Sequence, residues 1–470
     1  MTNALTPLRD FPDRLSPMVV KELRQGLRTR AFGSTMLLMH VMLILITLVT
    51  GSAENSDDTR WMLDGLATLV LCFIMPFRVT NALAEEVKMN TLDMLMLTRL
   101  TCSRIVFGKW ASVALQSLLI AFSLMPYVVA RYVFGGLDLM LELNMLGLKW
   151  LAGIVFAALL VMLSTIKQTW LRIIIIIVPV MFGGFGFIGM LVASSSGGPS
   201  LSSSFGTDKW WVILCVSLLA ALWCIYAFLS LAASRVSPPA SPLAWQKRMI
   251  HVLTILLLLA ISLLMREIAW VSAAMAVLVF LTMDVMTEQL NEVPSVYVPF
   301  YKRGSLGQLL WCFSPGWASG FLLTVVMSAI VGLCFYLRAG AADLPDYFLA
   351  CCTVWMMTSV IQLFPSTRRA EDLLPIFLGT FALMYLLIGM FSGIGVLMAK
   401  SMDTQPAFLA LLPPSAMIGA AQISAGPERD VFLRNAMLFA SAWPVLMALI
   451  SAHAWRKLRP MRQQAQRMSA

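Results

Sequence analysis

Charge is what this chain has least of. Only 12% of its 470 residues are Asp, Glu, Lys or Arg, against about 25% in soluble domains. That deficit leaves little room for a soluble domain. Histidine is nearly absent: His40, His251 and His453 lie far apart at the ends of apolar runs, which argues against a zinc site. The eight cysteines form no C-x-x-C and no disulfide framework. Cys72, Cys215, Cys224, Cys334, Cys351 and Cys352 lie inside apolar runs and read as small buried hydrophobes. Cys102 and Cys312 fall in more polar stretches. No Walker A pattern occurs, and Gly108-Lys109 is followed by Trp110. The chain therefore lacks the usual means of hydrolysing ATP. No Ser-His-Asp set, metal quartet or paired acids within one apolar run points to an enzyme. Mid-span carboxylates, costly in a bilayer and typical of ion-coupled carriers, are missing as well: Asp64, Glu142 and Asp284 all fall near run ends. Residues 1–16 are polar and include Asp10 and Asp13, so no cleavable signal peptide is expected.

What the chain has is hydrophobicity, at 59% of residues and a mean hydropathy of +0.83. Apolar runs recur near the ~20-residue length that spans a bilayer. The expected fold class is an all-α polytopic membrane protein with about twelve transmembrane helices. They are placed near 33–50, 61–79, 105–132, 143–163, 173–192, 210–232, 249–265, 268–285, 317–337, 347–364, 373–398 and 431–454. The fifth contains Pro179 and four glycines from Gly183 to Gly189, which predicts a kinked or broken helix. Arg266-Glu267 makes a hairpin of the seventh and eighth.

Pro238, Pro239 and Pro242, with three cations between Ser234 and Arg248, mark the best domain boundary. It separates a first membrane region, 14–235, from a second, 249–454, followed by a basic tail, 455–470. With the N-terminus inside, most of the 34 Lys and Arg residues fall in cytoplasmic segments. That asymmetry predicts an inner cell membrane location with both termini cytoplasmic. It also accounts for the net charge of +10 without nucleic acid. The segments 194–206 and 403–429 then lie outside. The second holds an apolar patch, 408–412, that either dips into the interface or forms an ordered cap.

Two inside segments carry periodic patterns. Ser16-Pro17 is a helix start. Val19, Leu23 and Leu27 follow on one stripe, and Lys21, Arg24 and Arg28 on another. This predicts an N-terminal interfacial helix with its basic face toward anionic lipid; the plainer alternative is a basic tail that sets orientation. Glu85 to Lys109 reads EEVKMNTLDMLMLTRLTCSRIVFGK. Val87, Leu92, Leu95 and Met96 recur about a helical turn apart. Acids come early and Arg99, Arg104 and Lys109 late, suiting a helix dipole. This predicts a cytoplasmic coupling helix that holds an apolar face against another protein. The alternative is a solvated helix joining two spans.

The second stretch resembles the signature loop of the type-2 ABC transporter permeases, the membrane subunits of ATP-binding-cassette exporters. Glu86, Thr91, Leu92, Asp93, Leu95, Leu97, Thr98, Ile105, Val106, Gly108 and Lys109 fill the family's places, while Lys88, Asn90 and Arg99 depart from it. Pro126, Phe134-Gly135-Gly136 and the Pro17, Lys21-Glu22-Leu23, Leu27-Arg28 pattern are also similar. The likeness covers about residues 14–235. It implies a permease powered by a separate ABC ATP-binding subunit. Glu85, Glu86, Thr91, Leu92, Asp93, Leu95 and Thr98 would contact that subunit. ATP and magnesium would be bound there, with no cofactor on this chain. One chain or a pair of permease chains would form the pathway. Two other classes stay open: a non-transporting membrane scaffold or assembly factor, and an ion- or proton-coupled carrier. The second region shares the layout of the first, with a loop from Asp284 to Pro315 carrying Glu288, Glu292, Lys302 and Arg303. That suggests a diverged pseudo-repeat; the alternative is two unrelated halves of the same parity.

Overall fold

A computed structural model describes residues 16–52, 60–84, 101–134, 139–166, 168–169, 172–173, 210–238, 243–291, 293–302, 307, 310–341, 343–363, 373–401, 407–423 and 426–469. Among them there are helices and turns and no strand. Among the described residues, nine helices are long and apolar enough to cross a bilayer. The chain divides into two compact units, Met1–Ser237 and Pro238–Ala470.

Unit 1 opens with α1, Pro17–Leu27, and α2, Arg30–Ser52. The second expected span is α3, Arg60–Thr68, continued by a π-turn, Leu69–Ile74, and by α4, Met75–Phe77. Then come α5, Cys102–Phe134, α6, Leu139–Ser164, and α7, Trp210–Val236. Most of the expected fifth span lies outside the described residues. The core of unit 1 gathers Met39 and Leu43 from α2, Leu63 from α3, Leu71 from the π-turn, and Ile120 and Leu124 from α5. The π-turn meets Gly153 of α6, where an added Cβ would fall 2.2 Å from the Leu71 carbonyl oxygen. Only glycine allows that approach. One turn earlier in α6, Lys149 Nζ pairs with Asp64 Oδ1 at 2.6 Å.

Unit 2 contains α8, Leu243–Met265, and α9, Ala269–Met286. A loop with 3-10 turns at Pro294–Val296 and Leu310–Phe313 flanks the short α10, Val298–Lys302. After it come α11, Trp317–Ala339, α12, Leu344–Leu363, and α13, Leu373–Ser401. A 3-10 turn, Ala407–Leu411, and α14, Pro413–Gln422, lead to α15, Pro427–Lys457, and α16, Arg459–Ser469. Arg266, with φ of 60°, makes the sharp turn of the α8–α9 hairpin. Leu409 and Ala416 are fully buried, so the 407–422 segment is an ordered cap on α12, α13 and α15. Cys334, Cys351 and Cys352 are buried, but Cys72 and Cys224 are half-buried and Cys215 is exposed. For Cys215 the expectation of burial is corrected: its face of α7 points away from the unit's core.

Five segments of each unit share one set of pairings. In unit 1, α5 packs on α2, on the α3–α4 segment, on α6 and on α7. There α6 also packs on the α3–α4 segment and on α7, and α2 packs on α3. In unit 2, α11 packs on α8, α9, α12 and α15. Correspondingly, α12 packs on α9 and α15, and α8 packs on α9.

Candidate functional site

The stretch expected to meet a partner, Glu85, Glu86, Thr91, Leu92, Asp93, Leu95 and Thr98, lies outside the described residues. Its two flanks lie within them, and both are fastened to the same assembly. On the N-terminal flank, Leu83 and Ala84 are buried. The Leu83 amide donates to Ser164 Oγ at 3.3 Å, and Arg172 Nη1 donates to the Thr80 carbonyl and to Asn81 Oδ1, each at 3.1 Å. On the C-terminal flank, the Thr101 carbonyl accepts from the amides of Arg104 and Ile105 and starts α5. Ile105 and Val106 are fully buried one turn in.

Between the flanks sits α1. The sequence places Val19, Leu23 and Leu27 on one stripe of this helix and Lys21, Arg24 and Arg28 on another. Met18, Glu22 and Gly26, at i, i+4 and i+8, face α5. A Cβ on Gly108 would come within 2.8 Å of Met18 Cγ, and one on Gly26 within 2.2 Å of Gln116 Nε2. Both glycines therefore allow α1 and α5 to approach closely. Glu22 Oε1 pairs with Lys109 Nζ at 3.5 Å. Val19 is buried by protein, Leu23 is half-buried, and Leu27, Lys21, Arg24 and Arg28 are exposed.

Arg78 closes the assembly. Its Nη2 donates to the Gly26 carbonyl at 3.1 Å and to Thr29 Oγ1 at 2.7 Å, and its Nη1 to Gln116 Oε1 at 2.5 Å. The guanidinium also lies 5.4 Å from the Phe32 ring centroid. A cation on the last carbonyls of α1 is favourably placed against the helix dipole. One side chain thus joins the end of the second expected span to α1, α2 and α5. No sequence spacing marks these partners.

No protein-family model, curated protein or solved structure matches this chain.

Unit 2 carries a second charged assembly at the corresponding place. Lys247 and Arg248, two of the three cations of the expected domain boundary, are fully buried. They lie inside α8 because that helix starts at Leu243, one turn before them. Lys247 Nζ pairs with Asp284 Oδ1 at 2.7 Å and Glu288 Oε1 at 3.1 Å, and Arg248 Nη2 with Glu288 Oε2 at 2.6 Å. Arg248 also donates to the carbonyls of Cys312, Ser314 and Gly316 and to Ser319 Oγ. Burial pushes the Glu288 carboxyl up, but the Arg248 and Lys247 cations outweigh it and bring it to about 2. Two cations and two anions cancel, which is what makes such a cluster tolerable away from water. It ties α8, α9 and the start of α11 together, and its members are engaged with one another. Of the other residues singled out in this loop, Lys302 is exposed at the end of α10, while Glu292 and Arg303 lie outside the described residues. No group of three or more His, Cys, Asp or Glu gathers as a metal site among the described residues.

Proposed function

We propose that this chain is the membrane permease subunit of an ATP-binding-cassette exporter. It has twelve spans, both termini in the cytoplasm, and a separate ATPase subunit docked on the 85–98 stretch. The observation that supports this reading is the rigid scaffold on either side of that stretch. A segment that only joined two spans would need no such anchoring. Here its flanks are held by Ser164, Arg172, Arg78 and the α1–α5 contact. A push on 85–98 would therefore be delivered to α5 and the α3–α4 segment rather than absorbed in a slack loop.

ATP and magnesium belong to the partner in this account. Glu86 accepts hydrogen bonds from it, and Leu95 fills an apolar pocket on it. The exposed Lys21, Arg24 and Arg28 sit on anionic headgroups beside the docking face. The carrier reading is less favoured because Asp64 and Asp284, two of the three acids near span ends, are already held by Lys149 and Lys247, and Glu288 by Arg248. The test is capture of the tagged full chain from native membranes with and without ATP. The account expects a nucleotide-binding subunit in the eluate. An eluate with no nucleotide-binding protein would favour the scaffold.

A further inference from the structure

Unit 2 holds a cavity of about 500 Å³ between α11, α12 and α15, within the range of small-ligand sites. Gly332 of α11 lets the Tyr347 ring of α12 sit against its helix, where an added Cβ would fall 2.8 Å from Tyr347 Cε1. The Tyr347 hydroxyl donates to the Ser328 carbonyl at 2.5 Å, and its ring stacks on Phe335. The ring is therefore held and does not swing into the space. The Ser328 hydroxyl is engaged as well, by the Thr324 carbonyl at 2.7 Å. Most of the remaining wall is apolar, with Val325, Ala329, Leu344, Phe348 and Met437. Such a wall gives water few partners and suits an apolar occupant. Along α12 the lining runs from Leu344 to Trp355, 11 residues or roughly 16 Å. That is about half of the ~30 Å hydrocarbon core of a bilayer, the depth of one leaflet. The cavity opens sideways. Ala329 is exposed on the same stripe of α11 as the exposed Leu322, Val326, Leu333 and Tyr336, and its small side chain leaves a gap in that stripe. The α11–α12 end of the slot is charged. Asp346 stands between the lining residues Pro345 and Tyr347, and its Oδ2 pairs with Arg429 Nη2 at 3.3 Å, both side chains about one-third exposed. Arg429 Nε has no hydrogen-bond partner among the described residues, so this guanidinium has donors to spare. An anion beside a cation where an apolar slot ends complements a zwitterionic head group, its ammonium toward Asp346 and its phosphate toward Arg429.

We propose that this cavity seats one acyl chain of a phosphatidylethanolamine-type phospholipid whose head group bridges Asp346 and Arg429. The lipid enters from the bilayer past Ala329 and stays as a resident of unit 2, whatever partner the chain has. The test reconstitutes the full chain in vesicles of phosphatidylethanolamine, phosphatidylcholine and phosphatidylglycerol in equal amounts. Native mass spectrometry after detergent extraction then counts and identifies the lipid that stays bound. The unaltered chain is expected to retain one phosphatidylethanolamine. Ala329→Trp sets a large side chain across the lateral opening and should lose that lipid. Asp346→Asn removes the acceptor for the ammonium and should cut the preference for phosphatidylethanolamine over the other two lipids about tenfold. This ion pair is exposed enough that its loss should leave the fold intact. No retained lipid on the unaltered chain would overturn the proposal. So would equal retention of the three lipids, the outcome of an unselective lipid shell, and so would retention unchanged in Ala329→Trp. Should Ala329→Trp fail to insert, Asp346→Asn still decides, because an unchanged preference there contradicts the head-group seat.

Discussion

Replacing Arg78 with Leu should release α1 from α5. The side chain donates to the Gly26 carbonyl, Thr29 Oγ1 and Gln116 Oε1. A hydrogen bond from a charged group contributes about 1.5–3 kcal/mol. The three here share one guanidinium, so their sum is an upper bound and the net loss is about 2–4 kcal/mol. At about 1.4 kcal/mol per tenfold, the docked-to-free ratio of α1 falls roughly 30- to 700-fold. A spin label at Gln25, on the exposed face of α1, would follow docking in lipid nanodiscs over a temperature ramp. Arg78→Leu should show a mobile component at lower temperature than the unaltered chain. Arg78→Lys should fall between, because a point charge cannot span three acceptors as the planar fork does. Gln116→Leu should couple to Arg78→Leu in a double-mutant cycle. An immobile label in Arg78→Leu at every temperature, or strictly additive effects with Gln116→Leu, would refute the strut.

Four further outcomes can be checked. Arg248→Met breaks a buried pair and orphans carbonyls in unit 2, so folded yield should drop with a cost of about 3–5 kcal/mol, partly recovered in the Arg248→Met, Glu288→Met double variant. The same cluster sets an acid limit. Glu288 sits at about 2 in the fold against about 4.3 unfolded, so its contribution is complete above ~4.3 and is lost as pH falls toward 2, readable as thermal stability against pH. Gly153→Ala pushes a methyl into the Leu71 carbonyl and should destabilise, whereas Gly33→Ala meets nothing within 4 Å and should be neutral or gain about 0.5–1 kcal/mol from helix propensity; equal melting temperatures would contradict the packing. A single cysteine at position 240 should resist membrane-impermeant thiol reagent in intact cells, and labelling there would contradict the twelve-span topology.

Much of the helical plan was legible because burial in a bilayer writes itself as long apolar runs. The expected spans near 33–50, 105–132, 143–163 and 317–337 coincide with α2, α5, α6 and α11. The π-turn at Leu69–Ile74 was not legible, since it depends on Gly153 from another helix. The charges were read less well than the apolar runs. Lys247 and Arg248 read as part of a domain boundary until the acids they meet, Asp284 and Glu288, are brought beside them by the α8–α9 hairpin. The face of α1 that meets α5 was not legible for a related reason. Val19, Leu23 and Leu27 make the better hydrophobic stripe, but Gly26 and Gly108 decide which face meets α5, and a glycine carries no hydrophobic signal.

The central claim is that residues 85–98 dock an ATPase, and one comparison addresses it most directly. The full chain, Glu86→Arg and Leu95→Ala are each captured from native membranes at matched expression, and the nucleotide-binding subunit that comes with them is quantified. Both changes lie outside the expected spans, so membrane levels should hold. Reversing the charge at Glu86 removes charge-assisted hydrogen bonds, and truncating Leu95 at a core-like contact costs roughly 2–5 kcal/mol. The account predicts a large loss of the subunit in both variants with normal membrane insertion. Capture of the subunit at the level of the unaltered chain in both variants would contradict it.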